Sequence, residues 1–158
     1  MSAVISPKIG LRPMSEADLD AVVALERETY HFPWTRGIFR DCLNVGYACW
    51  VYEEEQIDAY CVMSLGAGEA HILTLVVAEQ QRSKGLGRML MNHMLSVAKQ
   101  HNTEVMLLEV RPSNKVAIRL YQALGFNEVG IRPDYYPSLK GREDALVMAK
   151  VMIGSDDS

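Results

Sequence analysis

Cysteine is scarce in this chain of 158 residues, and the three present, Cys42, Cys49 and Cys61, are odd in number and form no Cys-x-x-Cys pair. Neither a disulfide framework nor a zinc knuckle is supported, so reduced, partly buried thiols are expected. Basic residues are not in excess: 16 Lys+Arg against 20 Asp+Glu leave a net charge of -4, which argues against a protein held mainly by nucleic-acid phosphates. A partner of basic character is easier to accommodate, and no direct nucleic-acid partner is expected. No apolar run approaches the roughly 20 residues that span a bilayer, and residues 1–13 lack the basic-then-apolar order of a signal peptide. The expectation is therefore a cytoplasmic protein with no membrane partner. The histidines His31, His71, His93 and His101 lack His-Glu-x-x-His spacing, and no Gly-x-Ser-x-Gly elbow or Gly-Lys-Ser/Thr of a P-loop occurs. No metal is expected. Internal repeats and low-complexity tracts are also missing.

At 49% hydrophobic and 23% charged, a chain of this length buries a substantial core, and one domain over residues 1–153 is expected, followed by a fraying acidic tail at 154–158. Residues 9–13 read as a short strand, after which Ser15-Glu16-Ala17-Asp18 has the capping-box form that opens a helix running to about Thr29. Thr35 caps a second, short helix, with Ile38, Phe39, Cys42 and Leu43 on one face. Residues 48–52 and 57–64 form an antiparallel hairpin around the glutamates 53–55, its solvated turn. Residues 70–77 are apolar enough for a central strand buried on both faces. Leu86, Leu90, Met91, Met94, Leu95 and Ala98 recur at helical spacing before the apolar strand 105–110, which makes a βαβ unit with parallel strands and a right-handed crossover. A further helix covers residues 114–124, with Val116, Ala117, Leu120, Tyr121 and Leu124 on one face and Gly125 to end it. Residues 126–131 and 145–152 are the last strands, separated by a loop containing Pro and Tyr.

Chemistry concentrates in Arg82-Ser83-Lys84-Gly85-Leu86-Gly87-Arg88, between the central strand and its helix. Successive backbone N–H groups, the positive end of the helix dipole and three basic side chains make a site for a pyrophosphate. A tight turn with solvated basic residues is the alternative, since Gly-x-Gly by itself is common. The dinucleotide fingerprint does not fit, because its third glycine is missing: position 90 is Leu. At the end of an otherwise apolar strand, Glu109 is either a proton acceptor or a carboxylate paired with Arg111 or another base. On the residues alone, Tyr121 is either core or a proton donor.

Arg82-x-x-Gly85-x-Gly87 after a buried strand resembles the acetyl-CoA signature of the GCN5-related N-acetyltransferases (GNAT). The segments Leu108-Glu109-Val110-Arg111-Pro112-Ser113-Asn114, Leu120-Tyr121-Gln122-Ala123-Leu124-Gly125-Phe126 and Asp134-Tyr135-Tyr136-Pro137 resemble the ribosomal-protein-alanine branch of that family, as do Phe32-Pro33-Trp34 and Gly141-Arg142-Glu143-Asp144-Ala145. The likeness covers most of residues 32–152; Ala78-Glu79 departs from it, where many relatives carry a proline. It implies an α/β (α+β) fold with a mixed, mostly antiparallel sheet, helices on both faces, and a central parallel pair that splays to admit acetyl-CoA.

By the same resemblance, backbone groups of Leu75, Val76 and Val77 hold the pantetheine and acetyl carbonyl, and Arg82, Ser83, Lys84, Gly85, Leu86, Gly87 and Arg88 wrap the pyrophosphate. Asn114 also touches the cofactor, a role compatible with a plain helix cap. Glu109 takes the proton of the amine, directly or through water, and Tyr121 protonates the departing thiolate. Phe32, Trp34, Tyr135 and Tyr136 wall the acceptor channel. The implied reaction is acetylation of the α-amine of a protein N-terminus, the alanine of a small-subunit ribosomal protein. A lysine, a polyamine or an antibiotic amine are other acceptors open to the same fold, and the presence of both Glu109 and Tyr121 weighs against a non-catalytic acetyl-CoA-binding module.

Overall fold

In the computed structural model, residues 10–152 are described. Residues 1–9, which include the first residue of the expected strand 9–13, and the expected acidic tail at 154–158 lie outside them. Element order is β1 (Gly10–Pro13), α1 (Leu19–Thr29), α2 (Arg36–Asn44), β2 (Ala48–Glu53), β3 (Ile57–Gly66), β4 (Glu69–Val77), α3 (Leu86–Gln100), β5 (Val105–Val110), α4 (Lys115–Ala123), β6 (Asn127–Ser138) and β7 (Gly141–Val151). Among the described residues the strands form one sheet in the order β1-β2-β3-β4-β5-β7-β6. The pairs β1/β2, β5/β7 and β6/β7 run antiparallel, while β4 and β5 run parallel. Two compact units divide the chain, residues 10–62 with 74–90 and residues 63–73 with 91–152.

In the first unit the capping box forms, with Asp18 Oδ2 accepting from Ser15 N at 2.8 Å and from Ser15 Oγ at 3.2 Å. Yet the helix does not start as an α-helix at Glu16. Residues Glu16–Asp18 make a 3-10 turn first, closed by Asp18 N to Ser15 O at 2.9 Å. Such turns are frequent at helix N-termini, and here Arg12 ties the turn to β1, its guanidinium binding Asp18 through two bonds of 2.8 Å. The same guanidinium binds Glu53 at 2.7 Å, so Glu53 ends β2 as an ion-pair partner and is not part of a solvated turn. Thr35 Oγ1 caps α2 by accepting from Ile38 N at 3.3 Å, as expected. Phe39 and Cys42 are buried, while Ile38 faces solvent.

In the second unit the parallel ladder of β4 and β5 joins Glu69↔Val105 through Ile72↔Leu108, and β5 pairs along its whole length with β7. Burial along β4, whose residues 74–77 belong to the first unit, is largely one-sided: Ala70, Ile72 and Val76 are buried, whereas His71, Leu73, Thr74, Leu75 and Val77 are half-buried. The expectation of a strand buried on both faces is thus corrected. Core positions include Met91, Met94, Ala98, Met106, Leu108, Phe126 and Met148, all 2% exposed or less. On α4, Ile118 and Tyr121 are the buried residues; Val116, placed on that face by the sequence pattern, is 73% exposed. Gly125 ends the helix at φ +97, and a Cβ there would meet Lys150 Nζ at 2.6 Å.

Residues 132–138, expected as part of a loop, are strand. The hairpin β6/β7 continues through Tyr136↔Glu143 to Ser138↔Gly141. Proline in this run is tolerated because β6 is the edge of the sheet, where a missing N–H breaks no second ladder.

Candidate active site

The basic loop lies in the first unit. Ser83 at φ +69 and Gly85 at φ +84 turn the backbone, and a Cβ on Gly85 would meet nothing within 4 Å. The earliest α3 bond is Met89 N to Gly85 O at 3.0 Å, so the N–H groups of the helix's first turn remain for a ligand. Arg82 Nε donates to Val77 O at 3.1 Å and Lys84 Nζ to Gln81 Oε1 at 3.1 Å, while Arg82, Lys84 and Arg88 stay exposed. Open space, free N–H groups, three cations and the dipole of a helix of 15 residues fit a pyrophosphate.

Also in the first unit, Phe32 is exposed, whereas Trp34 is drawn inward. Its backbone N donates to Glu26 Oε2 at 2.9 Å, and its ring sits 5.2 Å from Phe39. Glu26 is itself only 2% exposed and accepts from Tyr60 Oη at 2.5 Å on its other oxygen. Nothing in the sequence flagged Glu26, because its partners are 8 and 34 residues away.

The second unit carries Glu109, whose side chain is 6% exposed although it lies one residue past the last parallel pair. Its Oε1 lies 2.6 Å from His71 Nε2, and Arg132 Nε is 3.8 Å from Oε2. Arg111 does not pair with it; that guanidinium goes to Glu143 Oε1 at 2.8 Å and Pro137 O at 3.0 Å. The Tyr135 ring stands edge-on to Tyr136 at 4.9 Å, with Arg132 over its face at 5.6 Å. Burial pushes the Tyr135 phenol up, the Glu109 charge adds to this, and Arg132 opposes it. His71 is the residue sequence reasoning missed. Its signal was the register: with His71 opposite Leu107 on a parallel neighbour, His71 and Glu109 project from the same face.

Tyr121 is 7% exposed, its ring 5.9 Å from Phe126. Asn114 caps α4 by accepting from Ala117 N at 3.2 Å. Cys42, Cys49 and Cys61 are buried free thiols, and burial pushes Cys49 up to about 12. Among the described residues no cluster of three or more His, Cys, Asp or Glu side chains is placed to hold a metal. Among the described residues no helix is long and apolar enough to cross a membrane.

The model of the acetyltransferase (GNAT) family matches residues 16–126. The chain belongs to that family. Among its GNAT relatives, the [ribosomal protein bS18]-alanine N-acetyltransferase of Escherichia coli K12 is 34% identical over 137 residues, 86% of this chain and 93% of that protein. The crystal structure of the ribosomal-protein-S18-alanine N-acetyltransferase from E. coli superposes with a TM-score of 0.84 at 32% identity, covering 92% of this chain and 96% of that one. Ard1 from Thermoplasma volcanium gives 0.82 at 27%, covering 90% and 97%. The GNAT sheet with its single parallel pair is the architecture that the signature implied.

Proposed function

We propose that this chain transfers the acetyl group of acetyl-CoA to the α-amine of a protein N-terminus, the alanine of a small-subunit ribosomal protein, in the cytoplasm. The observation that carries the reading is Glu109, a nearly buried carboxylate oriented by His71 in a chain 34% identical to the bS18-alanine enzyme. Acetyl-CoA supplies a thioester-activated acetyl group. Leu75, Val76 and Val77 bind it through backbone groups, residues Arg82 to Arg88 cradle its pyrophosphate, and Asn114 adds a contact. The amine attacks the thioester directly, since every cysteine is buried and a thiol pushed up by burial is a poor nucleophile. Glu109 accepts the amine's proton, held by His71 in one orientation, and Tyr121 gives a proton to the leaving thiolate. Phe32, Trp34, Tyr135 and Tyr136 wall the acceptor channel.

The test is an acceptor panel with labelled acetyl-CoA: peptides with an N-terminal alanine, the same peptides blocked at the N-terminus but bearing lysine, and small amines. Turnover of the first set with stoichiometric free CoA is expected. Turnover confined to blocked, lysine-bearing peptides or small amines would replace the N-terminal reading.

A further inference from the structure

We propose that Arg111 and Glu143 form a latch that holds Tyr135 and Tyr136 beside Glu109, setting affinity for the acceptor without entering acetyl transfer. This rests on the acetyltransferase reading above and adds two positioning residues to it. The β6/β7 ladder is irregular where these tyrosines lie, because Arg132 pairs with Ala145 and Tyr136 with Glu143, leaving three residues of β6 opposite one of β7. Asp134, in that bulge, has φ +52. A bulge interrupts the ladder that would otherwise fix side-chain direction, so Tyr135 must be aimed by other contacts.

Arg111 supplies them from one side. It follows β5 directly, two residues after Glu109, so the strand end that presents the carboxylate also presents the latch. Nη1 donates to Glu143 Oε1 at 2.8 Å, Nη2 to Pro137 O at 3.0 Å, and the guanidinium lies 4.4 Å over the Tyr136 ring. Ser113 Oγ donates to the other Glu143 oxygen, Oε2, at 3.1 Å. Tyr136 then meets Tyr135 edge-on, and Arg132 bridges Tyr135 toward Glu109. Both latch side chains are 30% exposed, so solvent screens the pair and its contribution to stability is small. Its effect is on placement: a planar fork fixes direction in a way that a lone ammonium does not.

The experiment is steady-state kinetics on the full chain, with N-terminal-alanine peptide and acetyl-CoA varied in turn, for wild type, Glu143→Gln, Arg111→Lys and the double variant. Amide hydrogen exchange over residues 133–143 reports whether the hairpin loosens. Each single variant should raise the peptide KM about tenfold, with kcat and the acetyl-CoA KM within about twofold. The double variant should be little worse than either single one, because both remove the same contact. Faster hairpin exchange with an unchanged peptide KM overturns the proposal, as does a fall in kcat with KM unmoved. If wild type uses lysine peptides alone, the N-terminal reading fails and the same KM comparison with that acceptor judges the latch. If no amine is acetylated, the acetyltransferase reading fails and the latch's role in acceptor binding falls with it.

Discussion

Tyr121 and Glu109 differ in what a conservative substitution leaves behind. Tyr121→Phe keeps the ring that packs near Phe126 and removes only the hydroxyl. Because general acid catalysis contributes about 10²- to 10⁴-fold, the single-turnover transfer rate should fall by an amount in that range while acetyl-CoA affinity stays level. A near wild-type rate with saturating peptide makes Tyr121 a core residue only. Glu109→Gln keeps the shape and loses the proton acceptor, so turnover should drop most at neutral and lower pH. As pH rises past the α-amine range of about 7.7–8.0, more acceptor is already deprotonated and activity should partly return. A uniform loss across a pH–rate profile would assign Glu109 a positioning role. Glu109 was legible as a carboxylate ending an apolar strand; its partner was not. Lone histidines carry no pattern, and His71 acquires meaning only through strand register.

At the scale of elements, the loop before α3 is the most legible piece, since glycines, basic residues and the following helical period all fall in one continuous segment. Arg82→Glu combined with Arg88→Glu should weaken acetyl-CoA binding severely while acceptor binding persists, because charge-assisted contacts to phosphate become repulsive. Calorimetry giving an unchanged cofactor affinity removes the loop from the site. The β6/β7 hairpin was the least legible element. Its continuation carries Pro133, Asp134, Pro137 and Gly141, residues that read as loop, and their strand conformation depends on an edge position and on Arg142, which donates to the carbonyls of Asp134 at 2.6 Å and Tyr135 at 3.1 Å. The tie between the start of α1 and β1 was hidden for a similar reason: the capping box is local, whereas the bonds of Arg12 to Asp18 come from β1.

For the molecule as a whole, part of the acid stability follows from the Asp18 carboxylate held by arginine. Hydrogen bonds from Arg12 hold the Asp18 carboxyl below its ordinary value of 3.8, against the opposing effect of burial; Arg111 lowers Glu143 too, but solvent screens that pair and it adds little. A depressed folded-state value means the stabilisation is fully present above the unfolded value and is lost as pH falls through the folded one. Below pH about 4, wild type should therefore lose stability more steeply than Asp18→Asn, measured by urea unfolding across pH. Parallel profiles for the two proteins would show that Asp18 contributes nothing to acid unfolding. The sequence by itself determined what is local or periodic: the helices, the apolar strands, the basic glycine-containing loop before α3, the caps at Ser15, Thr35 and Asn114, and the family likeness carried by contiguous motifs. Only the tertiary structure decided the pairing of Glu109 with His71, the commitment of Arg111 to Glu143, the burial of Glu26 against Tyr60 and the Trp34 backbone, and the one-sided burial of β4. The physical reason is that each depends on which elements pack beside which, and contacts between residues on different elements leave no period along the chain.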